Sequence, residues 1–276
     1  MVPKPIVLSY FNLGDYVKSN YIMTFRNIVF SAVMVGIIVG SLYGLFQQFQ
    51  INPIIYASEA YEVSEANVEI AVQADANDNT EAAHSHDHGD GIGWSPADGF
   101  ERTTATLVAN IVTAITFSLF MISVMSFHNL KSNKPKLNWK TGLLWGAALM
   151  LSIFVAPSLL GLQPEIPGTL SESLGQRQVW WISSTVATAL GLLLLYYGAT
   201  AFKIAGGILL VLPQVLGAPT PQTHSYANTD PVAVEALNQL SGQFVTMTTI
   251  GMTIFCLLIG ALCGFASTRF VRFDRA

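Results

Sequence analysis

Five long runs with almost no charge constrain this chain more than any other feature of it. They are 27–46, 104–127, 142–160, 179–198 and 244–265. A bilayer core takes about 20 apolar residues as a helix, because the hydrocarbon offers no water to satisfy backbone N–H and C=O groups. A sixth apolar stretch, 204–217, is shorter and contains Gly206, Gly207 and Pro213. As a helix it reaches only about 21 Å. It suits a short crossing, a re-entrant half-helix or an interfacial helix. The expected fold is therefore all-α: a polytopic membrane helix bundle of six segments, five full-length plus the short 204–217.

Composition agrees. Only 11% of residues are charged, against about 25% in soluble domains. That excludes an ordinary globular enzyme, a disordered chain and a nucleic-acid binder. Val179-Trp180-Trp181 and Tyr196-Tyr197 bracket the fourth run as interfacial aromatics do.

The net charge of −4 hides a separation of signs. The connection 50–103 holds 11 acids and a single base, Arg102. The connection after the second run holds Lys131, Lys134, Lys136 and Lys140 and no acid. Lys4, Lys18 and Arg26 precede the first run, and Arg269, Arg272 and Arg275 follow the last. Cytoplasmic flanks carry the excess of Lys and Arg. This puts both termini in the cytoplasm and 50–103 outside a bacterial inner membrane, provided 204–217 crosses. The outer segments then hold 15 acids with Arg102 and Arg177, and the inner segments 11 bases with Asp15 and Asp274.

The organisation that follows is a bundle over 23–266, containing the outer acidic, histidine-bearing loop 50–103, with a basic cytoplasmic tail at 267–276. Residues 1–22 fit no secretory signal pattern. Met23 opens directly onto the first run, so 1–22 is expected to be an upstream extension, non-native or disordered.

Chemistry concentrates in His84-Ser85-His86-Asp87-His88-Gly89-Asp90. Alternate histidines project to one side of an extended backbone, and a loop can fold His84, His86 and His88 around one cation. Neutral imidazole suits Zn, Ni, Cu and Co. Asp87 and Asp90 add carboxylate oxygens. The bland alternative is a solvated polar loop. A second group flanks the membrane: Glu59 and Glu62 after the first run, Asp98 and Glu101 before the second, and Glu165 between Pro164 and Pro167. These acids are placed to ring an outer mouth, or else simply to solvate and cap helix ends. Within the spans the polar candidates for a pathway are Asn110, Thr246 and Thr249; for Asn110 an interhelical hydrogen bond is the competing role. No buried Asp, Glu, Lys or Arg supplies a mid-membrane carboxylate relay.

Ala32, Gly36, Gly40 and Gly44 repeat at four-residue spacing, as do Gly260 and Gly264. Such faces let helices approach closely, either inside the bundle or against a separate membrane subunit. Cys256 and Cys263 lie about 10 Å apart along one helix, too far for a disulfide. The chain has no P-loop, H-E-x-x-H, G-x-S-x-G or C-x-x-C. No catalytic residue and no bound cofactor are expected; a metal would be cargo.

The chain resembles the CbtA family, described as probable cobalt transporter subunits. The resemblance runs through Met23-Thr24-Phe25-Arg26-Asn27, Gln47-Gln48-Phe49-Gln50, Pro53-Ile54-Ile55 and Tyr61-Glu62. It continues through Trp94-Ser95-Pro96-Ala97-Asp98-Gly99-Phe100-Glu101-Arg102, Leu107-Val108-Ala109-Asn110 and Gly142-Leu143-Leu144-Trp145-Gly146. It ends with Leu162-Gln163-Pro164-Glu165-Ile166-Pro167-Gly168, Arg177-Gln178-Val179-Trp180-Trp181 and Leu216-Gly217-Ala218-Pro219. It implies a membrane protein that imports cobalt for cobalamin synthesis, acting with a small single-helix partner of CbtB type. The family is described with five membrane segments, against six counted here; the difference is 204–217. Cobalt comes from the resemblance alone. The residues by themselves leave open a nickel or zinc permease, and a non-transporting scaffold or sensor that presents captured metal.

Overall fold

The computed structural model describes residues 13–61, 96–97, 99–131, 137–219 and 226–271, with side chains from Thr24 onward except those of Leu130 and Lys131. Among them the fold is all-α, with five long apolar membrane-spanning helices and one shorter apolar helix. In chain order the helices are α1 (Leu13–Phe46), α2 (Asn52–Glu59), α3 (Phe100–Lys131), α4 (Trp139–Met150), α5 (Leu174–Tyr197), α6 (Thr200–Leu216) and α7 (Pro231–Arg269). A π-helical turn, Gln47–Ile51, joins α1 to α2, and a longer π-helix, Leu151–Leu159, continues α4. The described part of α1 begins at Leu13, ahead of Met23.

The helix ends carry the chemistry that sets them. At α4, Asn138 Oδ1 accepts the Thr141 N–H at 2.9 Å, while Thr141 Oγ1 accepts the Asn138 N–H at 2.9 Å. This reciprocal cap satisfies two orphan donors. At α7, Asp230 Oδ2 accepts the Ala233 N–H at 3.3 Å, and Pro231 occupies the first turn, where its missing N–H costs nothing. That start lies thirteen residues before Phe244, where hydropathy alone begins the last run. Hydropathy marks the lipid-matched part of a helix, whereas a cap marks its beginning. At about 58 Å, α7 overshoots a core of about 30 Å.

The chain folds as two compact units. The first comprises 1–40, 111–146 and 257–276. Backbones are close here: a methyl group built at Gly142 would collide with the Gly260 carbonyl oxygen, and one at Gly36 with Ile115. The four-residue glycine spacing is thus used inside the chain. Cys263 is a fully buried free thiol that donates to the Ser118 carbonyl at 3.8 Å, and Cys256, which belongs to the other unit, is also a fully buried free thiol. His128, near the end of α3, sets its ring edge-on to Trp145, with centroids 5.7 Å apart.

The second unit comprises 41–110 and 147–256. Helices α5 and α6 are joined by Gly198 and Ala199, both extended. Gly191 and Gly206, equidistant from that joint, meet backbone to backbone, so the pair is an antiparallel hairpin. Gly217 ends α6 at φ +80°, its N–H bonding the Pro213 carbonyl at 3.0 Å. Ile166, Tyr226 and Leu237 form a small apolar cluster where the 160–173 connection meets the start of α7, joined by the Thr169–Tyr226 bridge.

Candidate functional site

Two cavities adjoin the π-turn after α1, both within the second unit. The inner one, about 240 Å³, is lined by Tyr43, Gln47, Ile51, Asn52, Ile55, Arg102, Thr106, Phe244 and Thr248. The outer one, about 530 Å³, is lined by Gln48, Tyr56, Glu59, Gly99, Phe100 and Thr103.

The π-turn carries part of the polar lining. It closes with the Asn52 N–H bonding the Gln47 carbonyl, five residues back rather than four. The extra residue per turn swings side chains off the α-helical register, and Pro53 follows at the start of α2. Consecutive side chains diverge in any helix, and Gln47 lines the inner cavity while Gln48 lines the outer. Gln47 Oε1 accepts from Asn110 Nδ2 at 2.5 Å. Asn52 Nδ2 donates to Gln48 Oε1 at 2.8 Å. The Tyr43 hydroxyl donates to Met252 Sδ at 3.4 Å, and its ring tilts against Phe255. The Thr248 hydroxyl is buried without a hydrogen-bond partner and borders the inner cavity.

Arg102 dominates the electrostatics. Its guanidinium grips Glu59 in bidentate fashion, Nη2 to Oε1 at 2.7 Å and Nη1 to Oε2 at 3.5 Å. It also lies 5.0 Å above the Tyr56 ring, close enough for cation–π attraction. The side chains of Arg102 and Glu59 are 31% and 33% exposed, so dissolved ions can reach them.

The structure distributes the sequence candidates unevenly. Glu59 sits at the outer cavity in its ion pair. Glu101 is exposed in the first turn of α3, where an acid suits the helix dipole. Glu165 pairs with Arg177 at 2.8 Å and accepts the Ser171 hydroxyl at 2.6 Å. Asn110 bonds Gln47, an interhelical partner. The hydroxyls of Thr246 and Thr249 donate to the Gly242 and Val245 carbonyls of their own helix. His84, His86, His88, Asp87, Asp90, Glu62 and Asp98 lie outside the described residues. Among the described residues no three His, Cys, Asp or Glu side chains group closely enough to hold a metal.

Sequence reasoning assigned no role to Gln47, Asn52 or Tyr43, whereas Thr248 belongs to the last-helix threonines considered for the pathway. The available signal was Gln47-Gln48 with Asn52-Pro53 at the end of an apolar run, amides just ahead of a helix-disrupting proline.

The inner cavity sets the polar side chains of Tyr43, Gln47, Asn52, Arg102, Thr106 and Thr248 among Ile51, Ile55 and Phe244. Residues 25–268 match the family described as probable cobalt transporter subunit (CbtA). The chain belongs to the CbtA family. No curated protein and no solved structure matches it. Family membership and the helical fold together support a general metal-transport role.

Proposed function

We propose that this chain is the membrane subunit of a transition-metal importer, carrying Co²⁺ into the cytoplasm to supply cobalamin synthesis. The observation that carries the reading is the inner cavity, where Tyr43, Gln47, Asn52, Thr106 and Thr248 bring polar groups among Ile51, Ile55 and Phe244. Family membership contributes the metal.

In this reading His84, His86 and His88, with Asp87 and Asp90, concentrate the cation at the outer face. The net negative charge of 50–103 raises its local concentration. Glu59, Glu62, Asp98, Glu101 and Glu165 form the acidic surroundings of the mouth, and Asn110, Thr246 and Thr249 belong to the spans along the route. The chain sits in the inner membrane with both termini in the cytoplasm and works beside a single-helix partner of CbtB type. A membrane potential, negative inside, favours cation passage by about 2.3 kcal/mol per charge per 100 mV.

The test is uptake of radiolabelled cobalt into proteoliposomes, with and without the partner. Uptake in either preparation is expected, and competition by nickel and zinc identifies the preferred metal. No uptake in both would leave a non-transporting scaffold or sensor. Replacing His84, His86 and His88 by Ala should lower uptake at limiting cobalt and spare it at excess. Unchanged uptake at limiting cobalt would remove the loop from the route.

A further inference from the structure

Two polar pairs link the residues lining the two cavities. Arg102 lines the inner cavity and Glu59 the outer, and the two are ion-paired. Asn52 lines the inner cavity and Gln48 the outer, and these are hydrogen-bonded. An apolar contact opens only by repacking. A polar one opens by exchange, because an ion or water can take over each group's partner.

We propose that Glu59 is a divalent-cation site closed by its ion pair with Arg102, and that a cation binding Glu59 displaces the guanidinium from that carboxylate. The inference rests on the transport reading and names the first step of passage.

Three observations support it. Glu59 is partly exposed and is the carboxylate among the described residues lining the outer cavity. Its counter-ion is a monovalent cation held at a partly exposed site, where ion pairs are weak; a divalent cation competes well for it. The Tyr56 ring beneath Arg102 gives the displaced guanidinium a second attraction that does not involve Glu59. In the inner cavity, the unpartnered Thr248 hydroxyl and the amides of Gln47 and Asn52 offer neutral oxygens. One carboxylate and neutral oxygens hold a hydrated cation loosely, which favours release onward over storage.

A purely structural ion pair makes a different prediction. Loss of either partner of a staple acts in the same direction. Loss of either partner of a competitive latch acts in opposite directions. The experiment is equilibrium dialysis of Co²⁺ alone against the purified full-length chain, with His84, His86 and His88 replaced by Ala so that the loop does not mask the site. Arg102→Gln should bind Co²⁺ about ten-fold tighter, the order expected when one positive charge near 5 Å is removed even under full water screening. Glu59→Gln should bind about ten-fold weaker or not at all. Arg102→Lys keeps the charge and should stay near the parent. Should Arg102→Gln not fold, Arg102→Met, which keeps the stem over Tyr56, takes its place. Binding that is unchanged or weaker without the arginine overturns the latch. Tighter binding with no vesicle uptake in any preparation upholds the latch and sinks the transport reading. Uptake by the unmodified chain together with no tightening does the reverse.

Discussion

At the scale of single residues, the π-helix at Leu151–Leu159 is held by side chains as well as by its own backbone. Pro157 brings no N–H, so this segment lacks one backbone donor inside a span where water cannot replace it. Three side chains supply donors instead. Trp180 Nε1 bonds the Pro157 carbonyl at 2.9 Å, Trp181 Nε1 the Ile153 carbonyl at 3.1 Å, and Gln214 Nε2 the Ala156 carbonyl at 3.0 Å. The two tryptophans that open the fourth run as interfacial aromatics therefore also act as backbone caps for the preceding helix. Trp180 is buried, so Trp180→Phe should lose about 1 kcal/mol from the hydrogen bond plus a smaller packing penalty. Gln214 differs, because its own Oε1 is buried without a partner. Gln214→Leu removes one bond and one orphan acceptor together and should change stability by less than about 0.5 kcal/mol. Unfolding in mixed detergent micelles separates the two; equal losses would mean that the caps do not matter.

At the scale of elements, glycine separates contact from freedom. Gly142 and Gly260 let α4 and α7 touch through their backbones, and no side chain fits there. Gly142→Val should cost about 3 kcal/mol or more through overpacking. Gly207, in the middle of α6, faces open space. Gly207→Ala should gain about 0.5–1 kcal/mol from helix propensity alone. A loss at Gly207 matching that at Gly142 would show that the glycines act through something other than close approach.

The same comparison shows what the sequence makes legible. Uncharged runs located all six apolar helices within a few residues at most ends, because lipid imposes one requirement along a whole span. The start of α7 escaped that reading, since Asp230-Pro231 is a capping signal in a polar stretch. The π-helices escaped it as well, because widening a turn changes register without changing hydropathy. In the sequence Gln47, Gln48 and Asn52 read as a polar helix end, and hydropathy does not assign the two glutamines to different cavities. Arg102 was legible as a charge, but its pairing with Glu59, 43 residues away, was not.

At the scale of the molecule, the open question of five or six crossings turns on α6. At 17 residues it spans about 26 Å, a little short of a core of about 30 Å. Its partner α5 has 24 residues and crosses in full. The two form an antiparallel hairpin with a two-residue joint, so α6 returns along the path α5 has taken. An interfacial helix would have to turn away from α5, yet Gly206 meets Gly191 two turns below the joint. A crossing α6 predicts six crossings, with the C-terminal tail on the same side as the lysine-bearing connection after α3. The native thiols assist the test: Cys256 and Cys263 are fully buried, so the unmodified chain should not react with a membrane-impermeant maleimide. Single cysteines at Lys134 and Thr268 should both stay unlabelled in intact cells and both react in inverted vesicles. A cysteine at Glu101 should do the opposite. Labelling of position 268 from outside, with position 134 still protected, would leave five crossings and turn α6 back to the outer surface.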